Sequence, residues 1–190
     1  MNHFEIFELP RGLGIDAAEL QRRFYALSRR YHPDFHAGAS PAEQARALEA
    51  SARVNAAYRT LRDPITRIEY LVRLEEGRET KEGAAVRPSA PPALLEEMFE
   101  IQEALAEAQT GSALDDDARK TLAAQRERLQ ARCLDEEARL TERLAPAWDA
   151  ARPEERPRLL AAFKEGLATR AYLKTVIEDL GQALGEGEGI

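Results

Sequence analysis

The sequence predicts an all-α protein built in two parts, and three observations carry that prediction. Nearly every apolar run of the 190-residue chain repeats at three-to-four spacing, and none alternates in the manner of a half-buried strand. Helix starts and stops are written along the chain as capping residues and prolines. The charge is also split. Residues 1–74 carry 11 arginines against nine carboxylates, net +2, while residues 75–190 carry 16 basic and 25 acidic side chains, net −9. Two parts of opposite sign suit two different partners.

The first part spans 1–74. Asp16 followed by Glu19 marks a helix start, with acids placed where the free amides point. Leu20, Phe24, Leu27 and Tyr31 then form one apolar stripe, and Pro33 ends the helix because proline disfavours helical backbone in the residue before it. Ser40, Pro41 and Glu43 spell a capping box with proline at the first helical position. From there Leu48, Ala52, Asn55, Tyr58 and Leu61 are expected to face inward, with Asn55 bonded to backbone in the core. Asp63-Pro64 begins a short helix carrying Ile65, Ile68, Leu71 and Leu74.

Residues 75–91, rich in glycine, proline and charge, read as a linker. Residues 92–180 follow as an antiparallel three-helix bundle. Its helices run from Pro92 to about Gln109, from about Asp115 to Pro146, and from near Pro153 to Leu180, where Gly181 stops the last one. The end, 181–190, holds four glycines and two glutamates and reads as a flexible tail.

Composition excludes several classes. The formal charge of −7 argues against a general nucleic-acid binder. The single cysteine, Cys133, permits neither an internal disulfide nor a multi-cysteine metal or cluster site, and is expected to pack as a small apolar residue. No run of about 18 apolar residues is present, and the first residues do not form a secretory signal. The expectation is a cytoplasmic monomer without cofactor or membrane contact. His32 and His36 have metal-ligand spacing, but Pro33 lies between them and no third ligand stands nearby in the sequence. With no nucleophile–base pattern and no phosphate-binding glycine loop, an enzyme is not expected.

Two places carry chemistry. His32-Pro33-Asp34 lies between two capped helices. At about 100° per residue, Arg22 and Arg29 fall opposite the apolar stripe, with Arg23 and Arg30 on its flank. Taken alone, the tripeptide reads as an ordinary turn beside a solvated arginine face. In the helix after Pro92, Leu94, Met98, Ile101 and Leu105 form the inner stripe. Leu95 and Phe99 fall outside that stripe, beside Glu96, Glu100, Glu103 and Glu107. These outer residues either pack against another part of the chain or form a docking patch with an apolar anchor and acidic rim.

The segments FEIFELP, RRYHPDFH and VNAAYRTLRDPITRIEYL, at these intervals over about residues 1–74, resemble the J-domain family. That resemblance implies stimulation of ATP hydrolysis by a seventy-kilodalton heat-shock chaperone through His32, Pro33 and Asp34 and the basic residues Arg22, Arg23, Arg29 and Arg30. A J-domain followed by an acidic three-helix bundle is similar to the HscB-type co-chaperones of iron–sulfur cluster assembly. LLEEMFEIQEALAEA resembles their scaffold-binding helix and RAYLKTVIEDL their closing helix. The resemblance implies an HscA-type chaperone and an IscU-type scaffold as partners. It carries client contact onto Leu95, Phe99, Glu100, Glu103, Glu107 and Tyr172. Glu96 departs from the family pattern, where an apolar residue is common. A J-domain protein serving a different client is the alternative.

Overall fold

The structure, a computed structural model, describes residues 1–77, Phe99, Ile101 and 116–185, and among these the only regular structure is helical. The chain separates into two compact units. The first comprises residues 1–79 together with 144–157, and the second comprises 80–143 together with 158–190.

In the first unit, α1 (His3–Ile6) is capped by an Asn2–Glu5 box, and α2 (Ala17–Arg30) by Asp16, whose carboxylate accepts from the Ala18 and Glu19 amides. A short 3₁₀ turn (Pro33–His36) leads to α3 (Pro41–Arg62), which starts at the expected Ser40–Glu43 box. Asp63 caps α4 (Pro64–Glu75). Glu75, the first residue of the expected linker, is still helical, and Gly77 takes the left-handed φ of 65° that follows many helices. The remainder of 75–91 lies outside the described residues.

α1, α2 and α4 all pack on α3. Phe4, Phe7, Leu20, Val54, Ala57, Leu61 and Tyr70 form the core, with Phe24, Leu27 and Tyr31 half-buried along its edge as the α2 stripe requires. Phe24 stacks on Tyr58 at 3.9 Å between ring centroids. The inner face of α3 is not the expected one. Ala47, Val54, Ala57 and Leu61 are buried, whereas Leu48 is 62% exposed and Ala52 and Asn55 also face water. Asn55 is therefore not a core hydrogen-bonding residue. So many alanines line α3 that Leu48 drew the predicted face about 100° off the true one.

In the second unit, α5 (Asp116–Ala138) passes directly into a π-helical stretch, Arg139–Leu144. The chain then returns to the first unit as α6 (Ala145–Ala150), and α7 runs from Arg156 to Ala183. Pro146 was expected to end the second helix of the bundle, but the helical path continues to Ala150. The π turn immediately before Pro146 alters the tight i→i−4 ladder that a proline ring would obstruct. Gly181 does not stop the last helix either. It is buried beside the Arg126 side chain, Leu184 is 6% exposed, and the left-handed φ falls at Gly185 instead. The tail beyond 185 lies outside the described residues.

The core of the second unit joins Ile101 to Leu122, Leu129 and Cys133 of α5 and to Leu173, Val176, Leu180 and Leu184. Cys133 packs there as expected, and burial pushes its thiol pKa up, away from thiolate chemistry. Gly166 lets α7 approach α5 and the π turn closely: a Cβ there would stand 2.5 Å from Glu136 Oε1 and 2.8 Å from Leu140 Cδ2. Arg170 Nε donates to Glu137 Oε1 at 2.6 Å across the same helices.

Candidate functional site

The loop from Tyr31 to Ser40 is fastened at several points. His36 Nε2 lies 3.0 Å from the Arg30 carbonyl at the end of α2, which requires the proton on that nitrogen. Gln44, one turn into α3, donates from Nε2 to the carbonyls of Ala37 (3.1 Å) and Ala39 (3.0 Å). The Ser40 hydroxyl, and after it the Ser40 amide, donate to Glu43 and hold that carboxyl below its usual pKa. His32 caps the 3₁₀ turn, its Nδ1 accepting the Asp34 amide at 3.3 Å, so that its ring carries the proton on Nε2. Pro33 fixes its own φ.

All of this restraint stops short of the Asp34 carboxylate. Its side chain is 85% exposed, and the nearest basic atom is His32 Nδ1, 3.5 Å from Oδ2. That contact is an ion pair only with a protonated imidazole, and the rest of the carboxylate faces water. Phe35 beside it is 67% exposed, its ring edge-on to His32 at 6.2 Å. The result is an anionic group on a pinned turn, free to accept a forked hydrogen bond from a partner's guanidinium.

The four arginines of α2 are not equivalent. Arg22 pairs with Glu19, and Arg29 and Arg30 are exposed, with the Arg30 guanidinium 5.5 Å from the Tyr31 ring centre. Arg23 is turned inward. It donates from Nε to Glu19 at 2.6 Å and from Nη1 to the carbonyls of Phe7 (2.6 Å) and Glu8 (2.9 Å). It thereby secures Glu8, which has the unusual non-glycine φ of 52°. Bonds first from Arg23 and then from Arg22 hold the Glu19 carboxyl below its usual pKa. The available cationic surface is therefore Arg29 and Arg30, with Arg22 half-engaged.

Of the residues expected to contact a client, Phe99 is helical and 77% exposed, while Ile101 beside it is buried in the core, as their places on the helix predict. Tyr172 is half-buried against the same core, and burial, with help from Asp179, raises its phenol pKa. Leu95, Glu100, Glu103 and Glu107 lie outside the described residues.

Sequence reading missed a buried polar node in the first unit. Arg67 is only 7% exposed. It donates from Nε to the Leu61 carbonyl at 2.7 Å and from Nη1 to the Leu13 carbonyl. Burial lowers its pKa, and the Asp63 and Asp149 carboxylates partly offset this. Asp149 in turn accepts from the Leu13 and Gly14 amides. No local pattern announces a contact spanning 136 positions; the only trace is the Gly-Leu-Gly at 12–14.

A helical hairpin with an exposed His-Pro-Asp carboxylate at its tip defines a J-domain, and a sequence family described as the DnaJ domain matches residues 2–70. The co-chaperone HscB homologue of Ralstonia nicotianae is 39% identical over 113 residues, which is 60% of this chain and 62% of that protein. The Vibrio vulnificus homologue is 38% identical over 124 residues, covering 65% and 68%. The solved structure of chaperone HscB from Vibrio cholerae superposes with a TM-score of 0.62 at 27% identity, covering 98% of this chain and 99% of that one. Human co-chaperone HscB gives 0.60 at 27%, covering 96% and 81%. The chain belongs to the HscB co-chaperone family.

Proposed function

We propose that this protein stimulates the ATPase of an HscA-type chaperone and delivers an IscU-type scaffold to it during iron–sulfur cluster maturation. It acts in the cytoplasm, as a monomer, and is an activator rather than an enzyme. The observation that carries this reading is the 85% exposed carboxylate of Asp34 on a loop pinned at both ends. Such a group forms a charge-assisted bond to a partner at little ordering cost, because the loop is restrained before binding. Asp34 breaks no bond itself; it biases the conformation of the chaperone that does. Arg29 and Arg30, joined by Arg22, steer an acidic chaperone surface toward the loop, an effect that weakens with salt. Arg23 is assigned to positioning.

The second unit grips the scaffold through Phe99 and Tyr172, with Leu95, Glu100, Glu103 and Glu107 completing the patch. An aromatic left 77% exposed beside a buried Ile101 is a docking anchor of the kind that dominates interfaces. The test is calorimetric titration of an IscU-type scaffold into the full chain. Binding is expected, with Phe99→Ala and Tyr172→Ala each costing about tenfold or more in affinity. Unchanged affinity in both variants would overturn the patch. A scaffold that fails to bind the wild-type chain would redirect the second unit to a different client.

A further inference from the structure

Leu13, in the turn between α1 and α2, has both of its backbone polar groups bonded. Its amide donates to Asp149 Oδ1 at 2.8 Å and Oδ2 at 3.1 Å, and the following amide, of Gly14, donates to Oδ2 at 2.6 Å. Its carbonyl accepts from Arg67. Consecutive amides turned onto one carboxylate make a built anion seat. The flanking glycines open that seat: a Cβ on Gly12 would stand 3.1 Å from Asp149 Oδ1, and one on Gly14 3.1 Å from Oδ2. Either distance is tighter than ordinary van der Waals contact.

The carboxylate that fills the seat comes from the segment 144–157, which belongs to the first unit although the chain on both sides of it belongs to the second. The chain therefore passes between the units three times rather than once. The segment is held there by this carboxylate together with its few buried side chains. α6 is six residues long and ends the helical path that runs on from α5, and most of 146–157 is exposed. Its buried side chains are Ala145 and Trp148, the single tryptophan of the protein, 1% exposed with the Arg156 guanidinium 5.2 Å from its ring centre.

We propose that Asp149 is a clasp. Seated on the Leu13 and Gly14 amides, it keeps the segment 144–157 docked on the unit that carries the His-Pro-Asp loop. When the clasp is lost, the segment opens as one piece while α3 stays folded. This goes beyond the chaperone and client roles and does not depend on either.

The test is hydrogen exchange by NMR on the full chain, comparing the Trp148 indole N–H with the Val54 and Leu61 amides of α3. In Asp149→Ala the indole is expected to exchange about ten to a hundred times faster, the effect of losing charge-assisted bonds, with the α3 amides unchanged. Loss of a purely local bond would speed the Leu13 and Gly14 amides but not the indole. Asp149→Asn, which keeps one acceptor oxygen, should fall between. Gly14→Ala should reproduce the effect by crowding the carboxylate, and adding Asp149→Ala to it should bring little further change. An indole exchanging at the wild-type rate in Asp149→Ala overturns the clasp. So does equal acceleration of indole and α3 amides, or full additivity with Gly14→Ala. If Asp149→Ala does not fold, Gly14→Ala and Asp149→Asn decide by the same comparison.

Discussion

Two carboxylates of the first unit face opposite fates. Asp149 accepts from two backbone amides and lies near a buried arginine, whereas Asp34 sits on an equally restrained backbone and has no strong partner of its own. In Asp149 the bonding capacity is spent on the fold. In Asp34 the fold supplies the restraint and leaves the capacity unspent, which is what a docking group requires, since a carboxylate already satisfied gains little from a new arginine. The same contrast divides Arg23, bonded to two carbonyls, from the exposed Arg29 six residues on. Residue type alone does not separate such pairs; what each side chain is already bonded to does.

The largest effect expected from this contrast is at the loop. Asp34→Asn removes the charge while keeping the shape, and stimulation of the chaperone ATPase should fall by about a hundredfold, the scale of an interface hot spot. Its melting temperature should stay within a degree or two, because the carboxylate holds nothing in its own chain. Steady-state ATPase and a thermal melt of the same sample check both halves. A variant that stimulates normally would break the comparison outright.

Arg67 should show the reverse profile. Arg67→Met preserves much of the apolar stem but leaves the Leu61 and Leu13 carbonyls without their donor. Each buried acceptor left unpaired costs on the order of 1–3 kcal/mol, so urea unfolding should report a loss of about 3 kcal/mol. The second unit offers a smaller, steric case. Gly166→Ala gains up to about 1 kcal/mol in helix propensity. Against that, its Cβ would meet buried Leu140 at 2.8 Å, and overpacking costs about 1–3 kcal/mol. A net loss of about 1 kcal/mol is expected, and a stabilised variant would show that the helices can separate slightly without penalty.

Much of this architecture was legible locally. The Ser40–Glu43 box, the Asp16 cap, the Asp63-Pro64 start and the α2 stripe are short-range signals, and each stands where its residues placed it. So does the outward Phe99 beside the inward Ile101. What failed had physical reasons. Alanines on several sides of α3 blur its periodicity, so its pattern points Leu48 and Asn55 inward although both are exposed. Pro146 and Gly181 are strong helix breakers in isolation, but a π turn accommodates one and the Arg126 side chain covers the other. Arg67, Asp149 and the inward turn of Arg23 are long-range bonds of ordinary surface residue types, and no window of sequence contains both partners of the Leu13–Asp149 contact.

The smallest predicted effect sharpens the comparison most finely, because it sets neighbours on one helix against each other. Arg29→Ala should leave unfolding unchanged and slow association with the chaperone about two- to fivefold at low salt, the difference vanishing as ionic strength rises. Arg23→Ala should do the opposite. Losing the bonds to the Phe7 and Glu8 carbonyls, it should cost about 1 kcal/mol of stability, discounted because the side chain is partly exposed. Its association rate should keep the salt dependence carried by Arg29 and Arg30. Stopped-flow association across a salt series, paired with urea unfolding of both variants, separates the two roles. If Arg23→Ala instead reproduced the rate defect of Arg29→Ala without loss of stability, Arg23 would have to leave its carbonyls when the chaperone docks, and the ridge would have three free members rather than two.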